Sequence, residues 1–429
     1  MVGFSQSLEP GERFLIRDVL RVARGGLIGQ APFVLLSPAI TRLYSPAQIG
    51  VYGLAMAFVS VAAPVAGLRF ELAAISAPRS TDARSLLTLS GMSSLPVALI
   101  CAAALYAVRS AGVASYERLS WPMVILTAIA VWVSGIYSTM RCAAVRRHQF
   151  PAVAHALTVQ GTSRAAAPLA LALLSRGALM LITGELLARC ASVAVLAGKL
   201  RLRSALAEMR VRRDPLFATA RRYWKYPLLM TPSALIDSAA LAITVPMIAS
   251  LYGISAAGTF ALCQRLVMLP AAFVVSSVGD VYHAHATRAL RESTGDLGAL
   301  MRKTAMRLVL IALAAYLPLA ALAPSFAGWV FGRNWAGTGL LIAALAPACI
   351  AQTVVSPLSR GLLIARKEER KLIADAACLI LPSLSLYLAR DLPLPAAVTA
   401  YSIGSVAAFG IYFWVIAWSQ RGAGQQLAS

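Results

Sequence analysis

The chain has 429 residues, 59% of them hydrophobic and 13% charged, with a mean hydropathy of +0.73. A soluble fold of this size has too little interior to hide so many apolar side chains, which excludes an ordinary cytosolic domain. Lys and Arg number 39 against 17 Asp and Glu, a formal charge of +22, yet a nucleic-acid binder would be polar where this chain is greasy. What remains is an integral membrane protein.

Lipid cannot satisfy unpaired backbone groups, so the apolar runs are predicted to be helices; the alternating segments of a membrane barrel are absent. The first twenty residues carry Glu9, Glu12, Arg13, Arg17 and Asp18 in place of the apolar core of a cleavable signal. They read as a cytoplasmic lead-in. Long apolar windows then predict twelve helical spans, near 20–42, 47–70, 85–108, 120–141, 150–175, 177–198, 226–250, 256–280, 306–330, 336–359, 372–389 and 394–418. Pro32, Pro64, Pro232, Pro246, Pro270 and Pro347 fall within spans, where they can kink a helix. The longest connection, 199–225, holds nine basic residues. Anionic headgroups could bind there, but topology control already accounts for the charge.

Between the spans, 30 of the 39 basic residues lie on the side of the two termini and six on the other. The positive-inside rule places both termini in the cytoplasm. Short outer connections leave no room for an external domain. Residues 40–65 match 248–273, with Ile40, Leu43, Tyr44, Gly50, Leu54, Val59 and Ala63 answered by Ile248, Leu251, Tyr252, Gly258, Leu262, Val267 and Ala271. The expected fold class is therefore an all-α membrane protein of two six-helix bundles, related by a pseudo-two-fold axis along the membrane normal. The lobes are expected at 1–198 and 226–429, joined by the basic linker 199–225. Such a pair encloses a cleft able to open to either side, which is a transporter's plan. Six scattered cysteines and the single close pair His283 and His285 give no metal-ligand spacing, and no cofactor is expected.

Several motifs resemble one family. Leu43-Tyr44-Ser45-Pro46 through Gly50-Val51-Tyr52, then Leu68-Arg69-Phe70-Glu71-Leu72-Ala73, is similar to the opening of bacterial polysaccharide (O-antigen, Wzx-type) flippases. Arg222-Tyr223-Trp224-Lys225-Tyr226-Pro227 with Thr231-Pro232-Ser233 resembles the start of their second half. Leu251-Tyr252-Gly253, Gly258, Gln264-Arg265, Phe331-Gly332, Trp335 and Ser356-Pro357-Leu358-Ser359 continue the likeness over nearly the whole chain. The resemblance implies membership of the MATE-like superfamily of multidrug, oligosaccharidyl-lipid and polysaccharide exporters. It implies transport rather than enzymatic chemistry: a polyprenyl-diphosphate-linked oligosaccharide crossing the bacterial cytoplasmic membrane for O-antigen, capsule or exopolysaccharide assembly. Implied partners are that substrate, membrane lipids, and a polymerase with other assembly proteins. No nucleic acid is expected, and the chain is expected to act as a monomer. No G-x-x-x-x-G-K-[ST] loop suggests ATP hydrolysis.

Ionisable groups at membrane depth are costly and so carry functional weight. At about 1.5 Å per residue, Arg265 lies roughly 14 Å and Arg189 roughly 18 Å from the outer ends of their spans, Arg164 roughly 20 Å from an inner end, and Asp237 roughly 16 Å along its span. Guanidinium suits phosphate because it stays ionised and donates in a bidentate fork. Arg265, Arg164 and Arg189 are thus candidates to hold the lipid diphosphate, with Arg24 guiding the headgroup in. The competing reading is structural pairing, above all of Glu185 with Arg189 at i and i+4. Gln30, Gln160 and Gln264 are candidates for sugar hydroxyls or for helix–helix bonds. Asp237 and Glu185 are the candidate ion-coupling carboxylates, though a potential-driven mechanism needs neither. Two rivals stand beside the flippase: a multidrug or cation antiporter of the same fold, and a membrane polysaccharide polymerase or glycosyltransferase.

Overall fold

The structure is a computed structural model that describes residues 10–200, 213–268, 271, 297–359 and 368–426. Among these every regular element is helical. In chain order they are α1 (Pro10–Leu43), α2 (Pro46–Ala62), α3 (Phe70–Ser76), α4 (Ser80–Ser110), α5 (Trp121–Arg146), α6 (Phe150–Leu171), α7 (Ala178–Lys199) and α8 (Arg213–Arg222). Then come α9 (Thr231–Ala242), α10 (Thr244–Tyr252), α11 (Ile254–Met268), α12 (Leu297–Phe331), α13 (Thr338–Leu358), α14 (Glu368–Leu388) and α15 (Leu394–Gln426). Each of the twelve expected spans falls on one of these helices, or on the pair α9–α10, with α11 described as far as Met268. Among the described residues seven helices are long and apolar enough to cross a membrane alone, and α9–α10 with its leading turn, counted as one bent span, makes an eighth. The protein is a multi-pass membrane protein.

Local chemistry explains the boundaries. Ser45 and Gln48 form a capping box at the start of α2: the Gln48 N–H donates to Ser45 Oγ, and the Ser45 N–H donates to Gln48 Oε1 at 2.9 Å. Pro46 sits in the first turn, where no amide is missed. The expected span 47–70 is shorter as a helix, because α2 passes at Ala63–Val65 into a 3₁₀ turn containing Pro64. The chain then reverses through Leu68 and Arg69, both in the left-handed region at φ 51° and 60°. The seventh span bends by 44° between Ala242 and Thr244. Pro246 accounts for the bend, since its ring displaces the carbonyl four residues back, that of Ala242.

The chain forms two compact units, residues 1–258 and 259–429. In the first, α6 packs between α1 and α7, while α5 packs on α4 and α7, and α2 on α5. This unit also takes in α9 and α10, which pack along α2, so packing divides the chain beyond the expected linker 199–225. Glycine seams make the closest approaches. A Cβ on Gly161 of α6 would lie 2.2 Å from the Gly29 carbonyl oxygen, and one on Gly25 2.5 Å from that of Ala154. The repeat-equivalent pair Gly50 and Gly258 behaves alike. Cβ atoms there would meet the Ile254 and Pro46 carbonyl oxygens at 2.0 and 1.8 Å. The repeated glycine is therefore a contact residue as well as a turn signature. In the second unit, α12 packs on α13, α14 on α15, and α13 on α15.

Candidate functional site

Helix α7 carries Glu185 and Arg189 one turn apart, so their side chains share a face. The salt bridge forms, with Arg189 Nη2 at 3.0 Å from Glu185 Oε1. Helix α6 packs closely against the same stretch: a Cβ on Gly184 would lie 3.3 Å from Pro168 Cδ and 3.4 Å from Ala167 Cβ, closer than most side chains sit. That packing brings Arg164 across to the same carboxylate oxygen, Nη2 to Oε1 at 2.5 Å. Tyr52 of α2 donates its hydroxyl to the other oxygen, Oε2, at 3.2 Å. From α5, Ser134 Oγ accepts from Arg189 Nη1 at 2.5 Å and donates its own O–H to the Ala130 carbonyl at 2.6 Å. Three helices of the first unit thus converge on one buried carboxylate, and α5 joins them through Arg189.

The electrostatic balance is uneven. The Glu185 side chain is 2% exposed, while those of Arg164 and Arg189 keep 27% and 17%. One carboxylate answers two guanidiniums, so the three side chains carry a net charge of +1. Donors outnumber acceptors as well: Nε of Arg164, Nε of Arg189 and the hydroxyl of Tyr137 are buried and find no hydrogen-bond partner among the described residues. Buried donors without acceptors are expensive and uncommon in a finished core. An anion entering beside Arg164 and Arg189 would supply what they lack.

The remaining sequence candidates are spread more widely. Gln160 is partly buried on α6, one turn before Arg164, and Gln30 is exposed on α1 beside the Gly29–Gly161 crossing. The side chain of Arg24 lies outside the described residues. Asp237 is partly buried on α9, an element apart from the Glu185 cluster. Arg265 and Gln264 are partly buried on α11 in the second unit. Tyr52, Ser134 and Tyr137 are neutral side chains within apolar spans, and no charge marks them in the sequence. Tyr52 lies within the Gly50-Val51-Tyr52 motif, the one signal that marked it. A second buried carboxylate, Glu71, accepts from Ser90 at 3.1 Å, and Ser90 pairs with Thr139 at 2.8 Å. It belongs to the α3–α4–α5 packing and stands apart from the arginines.

Similarity to known proteins follows the same lines. The polysaccharide biosynthesis protein family matches residues 39–339. No curated protein matches the chain. Among solved structures, an inward-facing multidrug resistance MATE family transporter of the MOP superfamily superposes with a TM-score of 0.73 at 16% identity, covering 96% of this chain and 99% of that one. An outward-facing transporter of the same description gives 0.60 at 14% identity, with 99% and 100% covered. A MOP superfamily transporter from Pyrococcus furiosus Vc1, described as having a binding pocket of reverse polarity, also gives 0.60, at 15% identity with 97% and 99% covered. These likenesses establish the fold. The chain belongs to the polysaccharide biosynthesis protein family, and its fold is that of MATE transporters.

Proposed function

We propose that the protein moves polyprenyl-diphosphate-linked oligosaccharide repeat units from the inner to the outer leaflet of the bacterial cytoplasmic membrane, by alternating access of the halves 1–198 and 226–429, for surface-polysaccharide assembly. The observation that carries this reading is the sharing of Glu185 by Arg164 and Arg189, which leaves positive charge and open N–H donors at membrane depth. A diphosphate offers several acceptor oxygens and at least one negative charge, and it matches the guanidinium fork. It would compete with Glu185 for the two arginines. In a low-dielectric site that exchange is favourable only for an anion able to satisfy both. Glu185, once released, is a carboxylate available to a coupling proton or sodium ion, with Asp237 the other candidate. Arg265 and Arg24 are proposed as further contacts along the headgroup's path, and Gln30, Gln160 and Gln264 as contacts for sugar hydroxyls. A drug-cation antiporter would want acidic groups in excess, the reverse of this cluster.

Lipid analysis of cells lacking the protein tests the reading. Completed lipid-linked repeat units should accumulate at the inner leaflet. A build-up of unfinished units would instead place the protein in glycan synthesis and sink the proposal. Complementation with Arg164→Ala, which leaves the Glu185–Arg189 pair intact, should restore less than about a tenth of surface glycan at normal membrane level, the loss expected when about 1.4 kcal/mol or more of binding is removed.

A further inference from the structure

The second unit contains a cleft of about 690 Å³ between α12, α13 and α15, and this cleft has no part in the arginine cluster. Its volume is that of a ligand pocket rather than a packing defect, since such pockets run to about 300–1,000 Å³. Ala305, Val354 and Val355 form a buried floor, while Met306, Pro347 and Val406 stand exposed at the rim. The lining is apolar throughout save for one side chain, Arg302. Arg302 sits near the start of α12, Val355 near the end of α13, and Phe413 in the later part of α15. All three helix ends are the ones that the charge bias assigns to the cytoplasm. From there the cleft runs back to Val309, Pro347 and Val406, about 10–12 Å at 1.5 Å per residue. It therefore spans much of one leaflet, with its single cation at the headgroup end.

An apolar trough in a membrane protein is not empty of neighbours: its solvent is lipid, so its occupant is a chain. The exposed guanidinium at its mouth, with Lys303 and Arg307 also exposed on that turn, adds a requirement for an anionic head. We infer that this cleft binds the polyprenyl chain of an isoprenoid phosphate, holding the tail in the cytoplasmic leaflet while Arg302 engages the phosphate. The inference rests on the translocation reading for its choice of lipid. It gives the tail a built groove in the second unit, separate from the site that holds the headgroup in transit.

The test uses the purified full chain in phosphatidylcholine nanodiscs and a fluorescent polyprenyl phosphate as probe. Val406→Trp fills the trough and should weaken binding at least tenfold. Ile403→Trp, an exposed residue of the same helix outside the lining, should leave it unchanged. Arg302→Gln should cost about fivefold for polyprenyl phosphate and nothing for uncharged polyprenol, a difference that a misfolded variant would not show. Equal binding by wild type and Val406→Trp would overturn the proposal. So would displacement of the probe by phosphatidylglycerol at equal mole fraction, which would make the cleft a general phospholipid groove. The two readings fail separately. Wild-type protein that binds the probe in the cleft but does not flip a lipid-linked oligosaccharide removes the transport reading alone. Flipping that proceeds with the probe bound equally by both proteins removes the cleft.

Discussion

Glu185 holds a position that one substitution can expose. Its carboxylate keeps two guanidiniums from facing each other without a counter-charge, and removing one partner of a buried ion pair typically costs about 3–5 kcal/mol. Glu185→Gln is therefore expected to lower the thermal midpoint of the purified protein by several degrees. Inorganic pyrophosphate should recover much of that loss, and should raise the midpoint of the wild type far less, because Glu185 already occupies the anion's place. Tyr52→Phe deletes only one hydrogen bond to the carboxylate, about 1 kcal/mol, and should behave as a mild version without pyrophosphate rescue. If pyrophosphate stabilises the wild type and Glu185→Gln equally, the arginines are a structural pair and the anion binds elsewhere.

At the scale of the elements, helices in lipid lack a hydrophobic force to hold them together, so small residues that admit close backbone contact do that work. The α1–α6 seam is the clearest case. Gly161→Ala would set a Cβ 2.2 Å from a backbone oxygen, with no flexible side chain to move aside. The expected cost is about 1–3 kcal/mol of overpacking, measured as a lower thermal midpoint. Gly26→Ala on α1 meets nothing within 4 Å and should be neutral or slightly stabilising, since alanine is the better helix former. Equal effects from the two would show that the seam is not close-packed. The helices themselves were legible in the sequence, because lipid leaves a long apolar run few other choices. Where the reading fell short, tertiary contact or local stereochemistry decided: the end of α2 at Ala62, and the packing of α9–α10 along α2. The same division holds at the site. The Glu185–Arg189 pair is a matter of helical spacing and could be read directly. Arg164 joins it only because α6 packs against α7, and Tyr52 and Ser134 join as neutral donors and acceptors that composition does not flag.

The whole molecule has a direction, and the transport proposal depends on it. Thirty basic residues on one side against six on the other is the main argument for cytoplasmic termini. Side-chain stacks at helix ends add physical detail. Near the end of α4, the Arg109 guanidinium lies 5.1 Å from the ring of Trp121, which in turn stacks on Tyr106. In the second unit, Arg370 lies 4.0 Å from Trp418, itself stacked on Trp414. Amphipathic rings capped by a cation suit the headgroup level of a membrane. By the charge bias the first group marks the outer interface and the second the cytoplasmic one. Single cysteines can check this. Glu117, exposed in the turn between α4 and α5, and Lys199, exposed at the end of α7, lie on opposite predicted sides. The background must lack the native cysteines, because Cys190 is itself exposed. In intact cells a membrane-impermeant maleimide should label Glu117→Cys and not Lys199→Cys; permeabilised cells should label both. The reverse pattern would turn the basic face outward, away from the leaflet where lipid-linked glycans are completed. Arg302 and its cleft would then open to the wrong leaflet, and inward-to-outward transport would lose its physical basis.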